Sequence, residues 1–171
     1  RDWEMQMGVL DGVRILDFGH HVAGPLAARL LGMHGAEVIH VDRPDDRDRD
    51  RDAFLHAGKK RIALDLGDPE DRAIARRLAA RSDILIENFR PGVMDRLALG
   101  ATGLRAENPG LVYVSLPGFA AADPRAAVPG WEGVIGAATG NCRVRVGEGP
   151  EDWDPDRPTY TALPLASNFA A

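Results

Sequence analysis

Residues 12–42 read GVRILDFGHHVAGPLAARLLGMHGAEVIHVD: an apolar run, a glycine-bracketed turn, a helix-like stretch and a second apolar run. Val13, Ile15, Leu16 and Phe18 make a short, nearly continuous apolar strand, the pattern of a parallel strand covered on both faces. Gly19, His20, His21, Val22, Ala23, Gly24 and Pro25 carry the chain into a helix. Its first turn accepts Pro25, because an N–H there would have no helical partner. Leu26, Leu30, Leu31 and Met33 give the helix an apolar face as far as Gly32 or Gly35, and residues 37–41 supply the next strand, ending at Asp42. This is one βαβ unit. Free amides at the start of its helix lie just beyond the carboxyl end of the first strand, where anions bind.

Generic nucleotide motifs fit this turn poorly. The dinucleotide fingerprint G-x-G-x-x-G has only Gly19 and Gly24 here, although Asp42 stands about where a ribose-binding acid would. A phosphate loop would need Lys and a hydroxyl where Pro25 and Leu26 stand. Alternatively, the two glycines serve only a tight turn and close packing.

Working outward, the 171 residues are enough for one domain with a real core, and 44% hydrophobic content belongs to a globular chain. A net charge of −5 argues against a nucleic-acid surface, while local basic clusters suit a small phosphorylated ligand. Cys142 is the single cysteine, so no internal disulfide forms. No apolar run approaches the roughly 18–20 residues of a membrane span, and residues 1–7 are too polar for a secretion signal. A cytoplasmic, enzyme-like domain without membrane or nucleic-acid partners is the simplest expectation. The chain begins with Arg1 and stops at Ala171 inside an alanine-rich stretch, which reads as a fragment.

Beyond the βαβ unit, residues 43–52 alternate in sign and read as a solvated loop, except that Arg43 follows the second strand directly and could reach a phosphate. Lys59, Lys60 and Arg61 precede a strand expected over 62–66; their charges either solvate an edge or attract phosphate. Asp68 and Pro69 cap and start a helix to about Arg81, with Ile74 and Leu78 on its buried face. Residues 84–86 form a buried strand running into Glu87, Asn88, Phe89, Arg90, Pro91 and Gly92, a second site-like turn. A helix over 93–99, another over 102–108 and a strand over 111–116 follow, then a loop over 120–129 and a helical stretch over 130–140. Residues 141–158, with five acidic residues and three prolines, read as a surface excursion.

Several of these segments agree, in order, with one family. GVRILDFGHHVAGPLAARLLGMHGAEVIHVDRP, GKKRIALDLGDPEDR, SDILIENFRPGVMDRL, NPGLVYVSLPGF and PGWEGVIGAATG together resemble the class III coenzyme A transferases, the CaiB/BaiF family. The resemblance implies an α/β fold, a Rossmann-like parallel sheet with helices on both faces. Residues 1–9 would be an N-terminal extension, and 10–171 the N-terminal part of a longer domain that forms an interlocked homodimer. It implies acyl-CoA and carboxylic acid substrates, with coenzyme A as substrate rather than tightly bound cofactor, and no metal. Carried over position by position, the coenzyme A contacts fall on Val22 and Ala23 in the first turn and on Arg43 after the second strand. Leu64, Asp65, Leu66 and Gly67 offer a largely backbone surface, and Asn88, Phe89 and Arg90 form the second turn. Arg96 on the following helix and Gly130, Trp131 and Glu132 complete the set.

The departure is at the nucleophile. The family resembles itself in using an aspartate at the start of a helix, as in LPLAD, to attack the thioester. Here residues 163–169 read LPLASNF, so Ser167 stands in that place, or Ala166 with a one-residue slip. Neither is a carboxylate, and the expectation is a copy lacking its own nucleophile, such as the first half of a tandem enzyme. A structural or regulatory pseudoenzyme that pairs with an active subunit is the alternative. A racemase-like or nicotinamide-dependent activity is weaker: Trp131 stands where the racemase branch has a histidine, and the central glycine of a dinucleotide loop is missing.

Overall fold

The computed structural model describes residues 8–44 and 53–140. Five parallel strands form one sheet in the order β3-β2-β1-β4-β5: β1 (Arg14–Asp17), β2 (Glu37–Asp42), β3 (Lys60–Ala63), β4 (Ile84–Glu87) and β5 (Val112–Ser115). The helices are α1 (Ala23–Met33), α2 (Ala53–His56), α3 (Pro69–Ala79), α4 (Val93–Arg96), α5 (Ala101–Glu107) and α6 (Glu132–Ala138). Parallel neighbours require crossovers, and the helices filling them cover the sheet on both sides.

Alternation along the strands divides the core into two layers. Ile15, Val38 and Ile86 point to one face and pack with Ala27 and Ala28 of α1. Leu16, Val41 and Leu85 point to the other and pack with Ala75 and Ala79 of α3, Met94 of α4 and Leu104 of α5. Ile15, Leu16 and Leu85 are fully buried. Each such side chain contributes on the order of 1.5–3 kcal/mol when taken out of water. Strand order reverses between β2-β1 and β4-β5, so the carboxyl ends of β1 and β4 open a crevice at the switch point.

The start of α3 follows its sequence signals. Asp68 Oδ1 accepts the amides of Glu70 at 2.7 Å and Asp71 at 3.3 Å, and Pro69 opens the helix. The buried face of α3 centres on Ala75 and Ala79, with Ile74 and Leu78 half-buried beside them.

Two element readings are corrected. The third strand is Lys60–Ala63, not 62–66, because its register against β2 sets Arg61 beside His40 and Ile62 beside Val41. There Lys60 pairs with Glu37 and Arg61 with Asp42, so its charged residues belong to the strand. The helix expected over 93–99 stops at Arg96: Ala98 takes φ 54°, a left-handed conformation that no helix continues through, and Leu99 drops into the core. Helix α2 was not anticipated at all. Among the described residues no helix is long and apolar enough to cross a membrane. Residues 141–171, with Ser167 and Ala166, lie outside the described residues.

Candidate functional site

Every strand of a parallel sheet ends at the same edge, so the turns after β1, β2, β3, β4 and β5 share it. The first of them is built on a close glycine contact. A Cβ on Gly19 would sit 2.7 Å from the Gly24 Cα and 2.7 Å from the Pro25 Cδ, nearer than atoms can pack. Both positions must be glycine for the chain to close this neck and throw residues 20–23 outward. His21, in the excursion, takes φ 60°, a strained value for a side chain-bearing residue. Asp17, the last residue of β1, accepts the Gly19 amide on Oδ1 at 2.8 Å.

The second turn is tied to the first by one side chain. Asn88 Oδ1 accepts the His20 amide at 2.8 Å, and Asn88 Nδ2 donates to the His20 carbonyl at 2.7 Å. Its amide therefore reads the backbone as a strand would, fixing two turns that are 68 residues apart in sequence. His20 meets the Phe89 ring edge-on at 5.0 Å, and His21 meets Trp131 edge-on at 4.8 Å. Burial first, and then the positive charge of Arg43, push the His20 imidazole down to about 4. It is neutral at pH 7 and presents a ring rather than a charge, while Arg43 supplies positive charge beside it.

Of the sequence-predicted site residues, Val22 is the residue before α1 and Ala23 opens it, while Asn88 and Phe89 contact the neighbouring His20 across the crevice. Arg43 lies exposed past β2, close enough to act on His20. Gly130 packs on Gly118, where an added Cβ would come within 2.6 Å of the Gly118 Cα, and this contact delivers Trp131 to His21. Glu132 opens α6. Arg90 is exposed, its Nη1 donating to the Ala127 carbonyl at 3.4 Å, and Arg96 is exposed at the end of α4.

Leu64, Asp65, Leu66 and Gly67 stand at the far edge, two strands from β1. Much of their backbone is engaged within the segment's own surroundings. Leu64 N–H donates to the Asp42 carbonyl at 3.0 Å, Asp65 N–H to Asp71 Oδ2 at 2.7 Å, and Gly67 N–H to Asp65 Oδ1 at 2.8 Å. The Arg72 guanidinium takes the carbonyls of Leu66 at 3.0 Å and Gly67 at 2.8 Å.

The basic residues 59–61, read as solvating an edge or attracting phosphate, turn out to be paired with carboxylates. Lys59 is buried and bonded to Asp17 at 2.8 Å, Lys60 pairs with Glu37, and Arg61 grips Asp42 with Nε at 2.9 Å and Nη2 at 2.6 Å. Lys59 and Arg61 are thus turned inward to carboxylates, while Lys60, paired with Glu37, stays mostly exposed on the edge strand. Asp42 is 2% exposed and held by Arg61, so it does not present its carboxylate to a ribose. His20 and His21 were missed as site residues; their signal was position alone, between the two glycines of the turn.

Two surface hollows lie elsewhere. One of about 370 Å³ is lined by Ala101, Thr102, Arg105, Ala106 and Pro109; one of about 290 Å³ by Arg29, Gly32, Met33, Val38, Ala57, Gly58 and Lys59. Neither contains a residue of the two joined turns, and the switch-point crevice is the better site because main-chain groups and aromatic rings from three loops converge there. Among the described residues no cluster of His, Cys, Asp and Glu could hold a metal ion.

Known proteins share this sequence pattern and fold. Residues 10–170 match the model of CoA-transferase family III. The chain is 36% identical to succinyl-CoA–D-citramalate CoA-transferase of Chloroflexus aurantiacus, across 95% of this chain and 42% of that protein. It is 44% identical to the alpha-methylacyl-CoA racemase of Homo sapiens across 64% of this chain and 28% of that one. The crystal structure of Rv3272 from Mycobacterium tuberculosis superposes with a TM-score of 0.83 at 35% identity, over 95% of this chain and 46% of that chain. The chain thus spans less than half the length of these relatives. With the doubly wound sheet, the glycine-necked turn and the family match in agreement over nearly all its length, the chain belongs to CoA-transferase family III.

Proposed function

We propose that this chain supplies the coenzyme A-binding wall of an acyl-CoA:carboxylate CoA-transferase. The observation that carries the reading is the pair of hydrogen bonds by which Asn88 locks the β4 turn to the His20 backbone at the switch point. Val22, Ala23, Asn88 and Phe89 line the pantetheine arm, and Arg43 and Arg96 provide charged donors for its phosphates. Arg90, Gly130, Trp131 and Glu132 extend the wall, and residues 64–67 form its outlying edge. Acyl-CoA and a carboxylic acid are the substrates, and coenzyme A comes and goes with them.

In the reaction a carboxylate oxygen attacks the thioester carbonyl, the C–S bond breaks and coenzyme A leaves as thiolate, generating a mixed anhydride. The thiolate then attacks the carboxylate's own carbonyl, releasing the donor acid and leaving an enzyme thioester, from which the acceptor acid takes the coenzyme. With Ser167 where the attacking aspartate would stand, this copy binds the coenzyme while a second copy, in tandem or in a paired subunit, carries the nucleophile. Residues 10–171 are then the N-terminal part of one such domain.

Hydroxylamine trapping of the full-length protein with acyl-CoA, followed by peptide mass spectrometry, tests this division. The expected result is a hydroxamate on an aspartate outside residues 1–171. An acyl or coenzyme A adduct within residues 141–171, at Ser167 above all, contradicts it.

A further inference from the structure

Behind the first turn lies a buried set of charges that substrate binding as proposed does not use. Lys59 immediately precedes β3 and its side chain is 1% exposed. Its ammonium donates to Asp17 Oδ2 at 2.8 Å and to the Pro25 carbonyl at 2.8 Å. Asp17 lies just before the glycine neck and Pro25 just after it, so one ammonium grips both sides of the excursion formed by residues 20–23. The Asp17 carboxylate is fully engaged: Oδ1 accepts the Gly19 amide at 2.8 Å, and Oδ2 also accepts His40 Nδ1–H at 2.9 Å. His40 Nε2 stands 3.5 Å from Asp42 Oδ1, and Asp42 is held by Arg61. The ends of β1 and β2 and the start of β3 are thereby joined by a row of charged and polar groups running under the turn.

A buried ion pair is often no more stabilising than apolar packing of the same volume, and in some proteins such pairs serve instead to fix geometry. Van der Waals contact at Gly19 and Gly24 sets how close the two sides come, but leaves them free to slide. Directional bonds from a third element remove that freedom. We propose that Lys59 is a positioning residue that clamps the neck of the β1–α1 turn and thereby holds the His20–Ala23 wall in its ligand-receiving geometry. This rests on the reading of that wall as a coenzyme A surface, and the test separates the two.

Full-length protein is compared as parent, Lys59→Met, Lys59→Arg and Asp17→Asn/Lys59→Met. The double variant removes both charges together, so it leaves no buried charge unpaired and carries the test if Lys59→Met does not fold. Hydrogen exchange without ligand is read first. Amides over residues 18–26 exchange at least five-fold faster in the folded Met variants, those of α3 are unchanged, and Lys59→Arg restores part of the protection. Calorimetry with coenzyme A then shows a dissociation constant raised at least ten-fold. Unchanged exchange over 18–26, or uniformly faster exchange everywhere, overturns the clamp. So does parent-like coenzyme A affinity in a folded Met variant. If the parent itself takes up no coenzyme A, the ligand reading fails, and exchange over 18–26 still decides whether Lys59 holds the turn.

Discussion

The turns after β1 and after β4 use the same local device and secure it in opposite ways. Each strand ends in a buried acid whose carboxylate accepts the amide two residues on, Asp17 from Gly19 and Glu87 from Phe89, both at 2.8 Å. Burial disfavours the charged form of Asp17, but hydrogen bonds and electrostatic attraction from His40 and Lys59 outweigh it and hold the carboxyl below its ordinary value. Glu87 is pushed up by burial, against weaker opposition from Ser115 and the Phe89 amide and with the like charge of Asp95 adding to the rise. The acid of the first turn therefore depends on charged partners from β2 and from the residue before β3, while that of the second has uncharged partners, Ser115 at the end of β5 and the Phe89 amide. A site wall made of both inherits that asymmetry, and mutations ought to expose it.

Asp17→Ala is the most damaging change expected. It leaves Lys59 buried without its counter-charge and should cost about 3–5 kcal/mol in urea unfolding of the full-length protein. A loss below 1 kcal/mol would reduce the two turns to equivalents. Next comes Gly19→Ala, whose methyl would meet Gly24 and Pro25 at 2.7 Å. Prying the neck open should cost about 1–3 kcal/mol, measured the same way. Asn88→Ala removes both hydrogen bonds that join the turns, leaving the His20 amide without its acceptor. About 1–2 kcal/mol is expected, with a larger effect on coenzyme A affinity than on the unfolding midpoint.

The smallest effect belongs to Glu87→Gln, below about 1 kcal/mol, since an amide oxygen still accepts the Phe89 N–H of a group already displaced toward its neutral form. Its signature lies in pH dependence. A carboxyl raised on folding contributes stability that is complete below its ordinary 4.5 and is lost as pH rises through the folded value. Asp17, lowered on folding, contributes fully above 3.8 and loses that contribution as pH falls through its folded value. Unfolding followed from pH 3 to 8 should show Glu87→Gln flattening the alkaline side alone. A change confined to the acid side would reverse the assignment.

Much of the fold was legible because its signals are local. Apolar runs marked β1, β2 and β4, Asp68 and Pro69 marked the start of α3, and the glycines of the first turn marked a sharp strand-to-helix passage. What escaped was whatever depends on register. Nothing in the string KKR says that Lys59 turns inward to Asp17 while Lys60 meets Glu37 and Arg61 meets Asp42 across neighbouring strands. The same cause moved β3 two residues earlier than its apolar pattern suggested. Asp42 looked like a ribose ligand by spacing and is a structural partner by contact. Asn88 and Phe89 were expected at a site from the polar turn after β4 and from family resemblance, but their junction with His20 needed the sheet order, which brings β4 beside β1. His21 and Trp131 meet only because Gly118 and Gly130 let two loops touch.

Whether the joined turns form one coenzyme A surface is open to direct measurement. Titration calorimetry of the full-length protein with coenzyme A, parent against Asn88→Ala, measures it. Saturable binding by the parent, weakened at least ten-fold in a variant that still unfolds cooperatively, is the predicted result. Equal affinity in the two proteins, or no uptake by the parent, would contradict it.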